Sequence, residues 1–268
     1  MYYPEYYQLF HTRLRDLVGQ RVAILGHLRP DGDCIGSQVG LARVLTALSA
    51  DVVCYNEHRV PPACAGFVGD TVFLQASEGV DPTRVAISVD CADRTRLGDT
   101  LNEAYPDIYL NIDHHISNTA YADHNIIDAE SSATGEILAG LCLDTGVNMD
   151  AIAAQAFYVG IATDTGQFRF SSTTRRTFGI CYQLMENGAD PAEAAMQLYE
   201  NESPSKLALL QRFLASFEYH CDQRVCIGVL READWKTTGA EKEDTEGLVD
   251  YARSIQGVEI GILLEERD

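Results

Sequence analysis

Apolar residues recur along this chain with two different periods, and the two alternate. Over residues 6–18 (YYQLFHTRLRDLV) they fall three or four positions apart, which predicts a helix. Residues 21–26 (RVAILG) form a short, continuously apolar run, the pattern of a strand buried on both faces. A polar turn, Arg29-Pro-Asp-Gly-Asp33, leads into a second helical stretch at 35–48, with Ile35, Val39, Leu41, Leu45 and Leu48 on or near one stripe. The strand signal returns at 51–55, 83–89 and 108–112. Helical spacing returns at 132–143, closed by Gly146, and at 150–161. Asp190-Pro-Ala-Glu193 has the N-cap, N1 proline and N3 glutamate of a further helix start.

Strands that alternate with helices and are apolar throughout predict an α/β fold with a mostly parallel sheet flanked by helices. The pattern breaks at Glu200-Asn-Glu-Ser-Pro-Ser205. A helix then runs over 206–219, and strand runs at 224–230 and 258–264 predict a smaller α/β unit. The expected organisation is a catalytic domain over 1–200, a connecting helix over 201–219 and a partial second domain over 220–268.

Four acidic or histidine clusters interrupt the apolar pattern: His27 with Asp31 and Asp33; Asp90; Asp113-His114-His115; and Asp164 in Gly-Ile-Ala-Thr-Asp-Thr-Gly. Three of the four follow a predicted strand, and open parallel sheets bind ligands at that edge. Singly, each has an ordinary explanation as turn residues, helix caps or satisfied imidazoles. Together they would converge, and converging carboxylates repel one another unless a cation joins them. Carboxylate and imidazole donors suit Mn²⁺, and less decisively Zn²⁺ or Fe²⁺. His27, Asp31, Asp33, Asp90, His114 and Asp164 are enough for two ions that share one ligand, an arrangement suited to in-line attack at phosphorus.

Charge narrows what such a centre acts on. Lys and Arg number 20 against 40 Asp and Glu in 268 residues, a formal net charge of -20. A surface this acidic has no general grip on long duplex nucleic acid or on anionic membranes. The lysines are Lys206, Lys236 and Lys242, so residues 1–205 cannot supply a P-loop or Schiff-base lysine. No uncharged apolar run approaches the roughly 20 residues that span a bilayer. The first ten residues lack the basic and apolar regions of a signal peptide. Eight cysteines without a C-x-x-C pair, mostly in apolar runs, read as buried thiols of a reducing, cytoplasmic compartment.

In order along the chain, His27-x-x-Pro-Asp31-x-Asp33-x-x-Gly36-Ser37, Asp90, Asp113-His114-His115 and Ala162-Thr-Asp164-Thr-Gly166 resemble the motifs of the DHH phosphoesterase superfamily. Over nearly the whole chain the resemblance is to its DHH–DHHA1 group of bifunctional oligoribonucleases and 3'-phosphoadenosine 5'-phosphate (pAp) phosphatases. It implies two Mn²⁺ ions, with Mg²⁺, Co²⁺ or Fe²⁺ as substitutes. His27, Asp31 and Asp90 would hold one ion. Asp33, Asp90, His114 and Asp164 would hold the other, with Asp90 bridging. Asp113 would orient an imidazole. His115 would face the phosphate as a charge stabiliser or proton donor, and a hydroxide activated by both ions would attack. The implied substrates are RNA of two to five nucleotides, cut to nucleoside 5'-monophosphates in a cleft between two domains, and pAp. A homodimer is implied as well. The group's DHHA1 domain ends in a Gly-Gly-Gly-His stretch that is missing before Glu265-Glu-Arg-Asp268. The expectation is therefore a shortened version of a longer protein.

Several residues lie outside the motifs. Arg94 and Arg96 would reach a substrate phosphate or lie solvated. Ser131-Ser132-Ala-Thr-Gly-Glu136 would offer hydroxyls and amides to an anion or cap a helix. Phe168-Arg169-Phe170 would meet a base or pack as a strand, and Tyr2, Tyr3, Tyr6 and Tyr7 would form a packing or dimer face. Among competing functions, hydrolysis of cyclic or linear dinucleotides such as cyclic di-AMP keeps the same centre. Inorganic pyrophosphatase activity is disfavoured by three lysines and a net charge of -6 over residues 201–268. A processive RecJ-like exonuclease is disfavoured by length and acidity. A non-catalytic nucleotide-binding protein would be favoured by a missing ligand, and none is missing.

Overall fold

Six short strands run side by side in one direction in the computed structural model, which describes residues 1–245 and 247–266. They are β1 (Arg21–Leu25), β2 (Asp51–Asn56), β3 (Phe73–Gln75), β4 (Val85–Val89), β5 (Leu110–Asp113) and β6 (His124–Ile127). Their order is β3-β2-β1-β4-β5-β6, and every neighbouring pair is parallel. The chain builds outward from β1 to β3, then returns to the other side of β1 for β4. The direction of winding reverses between β1 and β4, and a crevice forms at the C-terminal ends of strands at such a reversal.

Strand alternation sorts the core into two layers. Val22, Ile24, Ile87 and Ile112 face one side, against α1 (Tyr7–Asp16), α2 (Gly32–Ala47), α4 (Thr134–Thr145), α5 (Ala151–Asp164) and α6 (Arg175–Glu186). Ala23, Leu25, Val53 and Ala86 face the other, against Leu97 and, on or beside the short α3 (Asp99–Ala104), Leu101 and Tyr105. The parallel α/β sheet expected from the apolar runs is present. Strands β3 and β6 lack that signal because they are three or four residues long and mostly half-buried. Helix α2 starts three residues earlier than its apolar stripe, because Asp31 caps it by accepting from the amides of Asp33 and Cys34. Residues 165–172 form turns and a bend rather than the strand packing suggested by Phe168 and Phe170.

The chain divides into two compact units, Met1–Leu198 and Tyr199–Asp268. Helix α7 (Pro191–Tyr199) closes the first. The second holds α8 (Pro204–Ala215), β7 (Glu218–His220), β8 (Val225–Leu230), α9 (Glu232–Thr238), α10 (Leu248–Arg253) and β9 (Ile260–Glu265). Strand β8 pairs antiparallel with β7 and parallel with β9. Helix α8, read from sequence as a connector, places Leu209 and Phe213 in this unit's own core with Cys226, Leu230, Leu248 and Ala252. Among the described residues, no helix is long and apolar enough to cross a membrane, and all eight cysteines are free thiols, with only Cys221 exposed.

Candidate metal centre

The crevice collects its polar residues from the ends of five elements. His27 leaves β1, Asp33 opens α2, Asp90 follows β4, His114 follows β5, and Asp164 is the last residue of α5. All but Asp164 are placed by local strand or turn geometry. Asp164 arrives through helix packing, because α2 and α5 run antiparallel in close contact. A Cβ on Gly36 would lie 2.3 Å from the Ala156 carbonyl oxygen, and one on Gly160 would lie 2.7 Å from Asp33 Oδ1. Only glycine permits that approach.

The two imidazoles are oriented alike. His27 Nδ1 lies 2.8 Å from the Leu28 carbonyl oxygen. A carbonyl only accepts, so Nδ1 carries the proton and Nε2 presents a lone pair. That buried Nε2 has no hydrogen-bond partner. It faces Asp90 Oδ2 at 3.3 Å and Asp31 Oδ2 at 3.7 Å. His114 Nδ1 points to the Ser131 carbonyl oxygen at 3.4 Å. Its Nε2 faces Asp164 Oδ2 at 3.1 Å, Asp90 Oδ1 at 3.6 Å and Asp33 Oδ2 at 4.0 Å. Lone pairs turned on carboxylate oxygens repel unless a cation or a proton lies between them.

The titration behaviour has the same cause. Burial, reinforced by Asp90 and Asp164, drives the Asp33 carboxyl well above its ordinary range. Burial raises Asp164 too, against its bond to His114. Burial by itself would lower His114, but Asp164, Asp33 and Asp90 hold it up to about 10. Acids this close together favour a positive charge among them, and a divalent ion fits the donor set. Candidate ligand atoms cluster within 4.8 Å as His27, Cys34 and Asp90; as Asp90, His114 and His115; and as Asp33, His114 and Asp164. Cys34, which sequence reasoning passed over, is fully buried, and burial pushes its thiol up. A neutral thiol is a poor donor beside oxygen and imidazole ligands.

The acids are held by backbone and hydroxyl groups. Asp33 accepts from the first two amides of α4, Thr134 at 2.7 Å and Gly135 at 2.8 Å, so a helix N-terminus supports its charge. Thr134 Oγ1 donates to Asp90 Oδ1 at 3.1 Å. Asp90 has a φ of 54°, the left-handed conformation that Asp adopts more readily than most residues and that recurs at functional sites. Asp31 divides its carboxylate: Oδ1 caps α2 and Oδ2 turns toward His27.

Beneath this lies a network that the sequence did not reveal. Glu136 is fully buried. It accepts from Ser132 N at 3.0 Å, the Ser132 hydroxyl and Thr177 Oγ1 at 2.9 Å, and from Arg176 Nε at 2.9 Å. Arg176 also donates to Asp128 and to Ser131 Oγ, with its guanidinium 4.5 Å over the Tyr3 ring. The network clamps residues 128–136, the stretch that supplies the Ser131 carbonyl to His114 and the α4 amides to Asp33. A glutamate in the first turn of a mostly apolar helix was its one sequence signal.

Asp113 is fully buried and accepts from the His114 amide, from Asn118 and from His115 Nδ1 at 2.7 Å. That bond raises His115, against partial burial, and leaves its Nε2 available. The remaining candidates scatter. Arg94 is taken up by Asn102 and the carbonyls of Tyr105 and Pro106. Ser132 is committed to Glu136, and Arg169 donates to Gly166. Arg96 is half-buried beside the first ligand loop, where its carbonyl accepts from Leu28 N. Phe168 stacks with Phe178. Tyr2 and Tyr3 bond Asp144 through their amides, and Tyr6 bonds the Ile127 carbonyl, so all three pack within the first unit.

Known proteins resemble this chain. The family description "DHH family, N-terminal domain" matches residues 21–161. A bifunctional oligoribonuclease and PAP phosphatase NrnA of Thermus thermophilus is 28% identical over 248 residues, covering 92% of this chain and 73% of its own length. A probable enzyme of the same name from Streptococcus mutans is 32% identical over 200 residues, covering 72% of this chain and 60% of its own. An exopolyphosphatase-related protein from Bacteroides fragilis superposes with a TM-score of 0.90 at 23% identity, covering 98% of this chain and 80% of that one.

Proposed function

The chain belongs to the DHH family and is a phosphoesterase, and from that premise we propose that it hydrolyses short oligoribonucleotides to nucleoside 5'-monophosphates and dephosphorylates pAp with two Mn²⁺ ions. One observation carries the two-ion reading: a shared Asp90 turns Oδ2 toward the lone pair of His27 and Oδ1 toward that of His114. His27, Asp31 and Asp90 would hold one ion, and Asp33, Asp90, His114 and Asp164 the other. Bound divalent ions supply positive charge to the phosphate and lower the pKa of the attacking water.

The protein's own groups do the rest. The α4 amides and Thr134 keep Asp33 and Asp90 aimed while charge in the crevice changes. His115, whose pKa the bond to Asp113 raises, would give its Nε2 proton to the leaving oxygen. Arg96 has no side-chain hydrogen bond among the described residues, and from beside the first ligand loop its guanidinium would meet a phosphate oxygen. The second unit serves as a substrate-binding domain of the DHHA1 kind. The names of the two relatives support the substrate classes.

The test is a Mn²⁺ titration against diribonucleotides, pAp and cyclic dinucleotides. Release of 5'-monophosphates from diribonucleotides and of phosphate from pAp is expected. Turnover of cyclic dinucleotides alone would overturn the substrate assignment, and no turnover of any of them would overturn the catalytic one.

A further inference from the structure

A small cavity opens one strand away from the metal centre, at the C-terminal ends of β2 and β3. It measures about 220 Å³ and is lined by Asn56, His58, Arg59, Val60, Phe73 and Gln75, among others. Its wall is tied to the first ligand loop. His58 Nδ1 accepts from the amide of Arg29, two residues beyond His27, at 3.1 Å. A Cβ on Gly26 would lie 2.3 Å from Asn56 Oδ1.

Its chemistry is unspent. Asn56 is 2% exposed. Its Nδ2 donates to Gln38 Oε1 at 3.0 Å, and Gln38 Nε2 is itself held by the Ile24 and Tyr55 carbonyls, so the Asn56 amide cannot turn over. Asn56 Oδ1 is left buried with no partner, an acceptor that lacks an N–H donor. Gln75 is held by Arg59 Nε at 3.2 Å, and Val60 and Phe73 supply apolar wall. His58 and Arg59 line the mouth beside one acid, Glu78, whose Oε2 already accepts from the Gln75 amide at 2.8 Å. The Arg29 guanidinium has no partner among the described residues, and Arg59 bonds an amide rather than a carboxylate. His58, by accepting at Nδ1, keeps its proton on Nε2.

The volume is below the about 300–1,000 Å³ of pockets for drug-sized ligands, so it suits one planar ring system. Apolar walls, a fixed acceptor and a rim on which Arg59 and His58 stand beside a single, already bonded acid match a heterocycle with N–H groups on its edge and an anion attached. We propose that this cavity is a nucleobase subsite. It holds the base of the nucleotide adjoining the scissile phosphate, and Arg29, His58 and Arg59 face that nucleotide's negative charge. The inference rests on the phosphoesterase reading and names what sets its substrate class.

Calorimetric titration of the full chain with AMP and with ribose 5-phosphate, neither of which needs turnover, tests it. AMP is expected to bind at least tenfold more tightly. Val60→Trp fills the cavity and is expected to erase that preference while the thermal midpoint stays near wild type. If Val60→Trp does not fold, Arg59→Trp closes the mouth from an exposed position with the same expected result. Equal affinities in the wild type, or a preference that survives both substitutions, would overturn the subsite. Wild-type hydrolysis of bis(p-nitrophenyl) phosphate, measured alongside, keeps the two readings separate. Hydrolysis without an AMP preference sinks only the subsite, and an AMP preference without hydrolysis of any phosphodiester sinks only the enzymatic reading.

Discussion

Two buried ionic clusters flank the start of α4, and they differ in which side chains face their acids. Around Glu136 each carboxylate oxygen meets an N–H or O–H group, and Arg176 supplies the opposite charge. Around Asp33, Asp90 and Asp164 the acids meet one another and the Nε2 edges of His27 and His114, and no arginine or lysine bonds to them among the described residues. Buried acids need a countercharge in either place. Where the task is to hold backbone still, the countercharge is covalently attached. Where the task is to receive a phosphate, it must be an ion with coordination positions left for water and substrate.

The strongest way to break this contrast is Asp90→Ala. Hydrolysis should fall below detection, and Mn²⁺ should no longer raise the thermal midpoint. In the wild type, Mn²⁺ at 100 times its Kd should add about 2.7 kcal/mol of stability. Retained turnover would refute the shared ligand. Arg176→Met attacks the Glu136 cluster instead. It should cost about 3 kcal/mol in urea unfolding, the low end for an orphaned buried charge, because Ser132 and Thr177 still donate to Glu136. A loss under about 1 kcal/mol, the range of an exposed ion pair, would show that the cation is dispensable there.

Thr134→Val joins the two clusters. It removes the hydroxyl on Asp90 and keeps the amide on Asp33, so Mn²⁺ affinity should drop about tenfold by calorimetry. Unchanged affinity would show that the ligands need no such support. The smallest effect is a change in pH profile. Asp113 holds the His115 pKa up, so the imidazole keeps its proton to higher pH, and proton donation is lost as pH rises through that pKa. Asp113→Asn removes the support, and the alkaline limb of kcat should move to lower pH. A limb that stays in place would exclude His115 as the donor.

Legibility followed range. Continuously apolar runs marked β1, β2, β4 and β5, and a strand's end is a local property, so His27, Asp31, Asp33, Asp90 and His114 could be placed on one edge from sequence. Strands β3, β6 and β7 escaped because short strands outside the buried centre of a sheet carry little apolar signal. Arg94 and Ser132 looked available because sequence does not show which carbonyls and carboxylates surround a side chain. Helix α8 looked like a connector because its partners, Cys226 and Leu248, lie far along the chain.

The sequence by itself determined the α/β class, the strand-end position of most candidate ligands and the family, because apolar period and motif order are carried by neighbouring residues. Tertiary structure decided which lone pairs confront which acids. Asp164 reaches the crevice only through the glycine-permitted packing of α5 on α2. His114 takes its tautomer from the carbonyl of Ser131, and Ser131 is held by Arg176, 45 residues further along the chain. The physical reason is that a hydrogen bond depends on distance and angle in space, which the spacing of residues along a chain does not express.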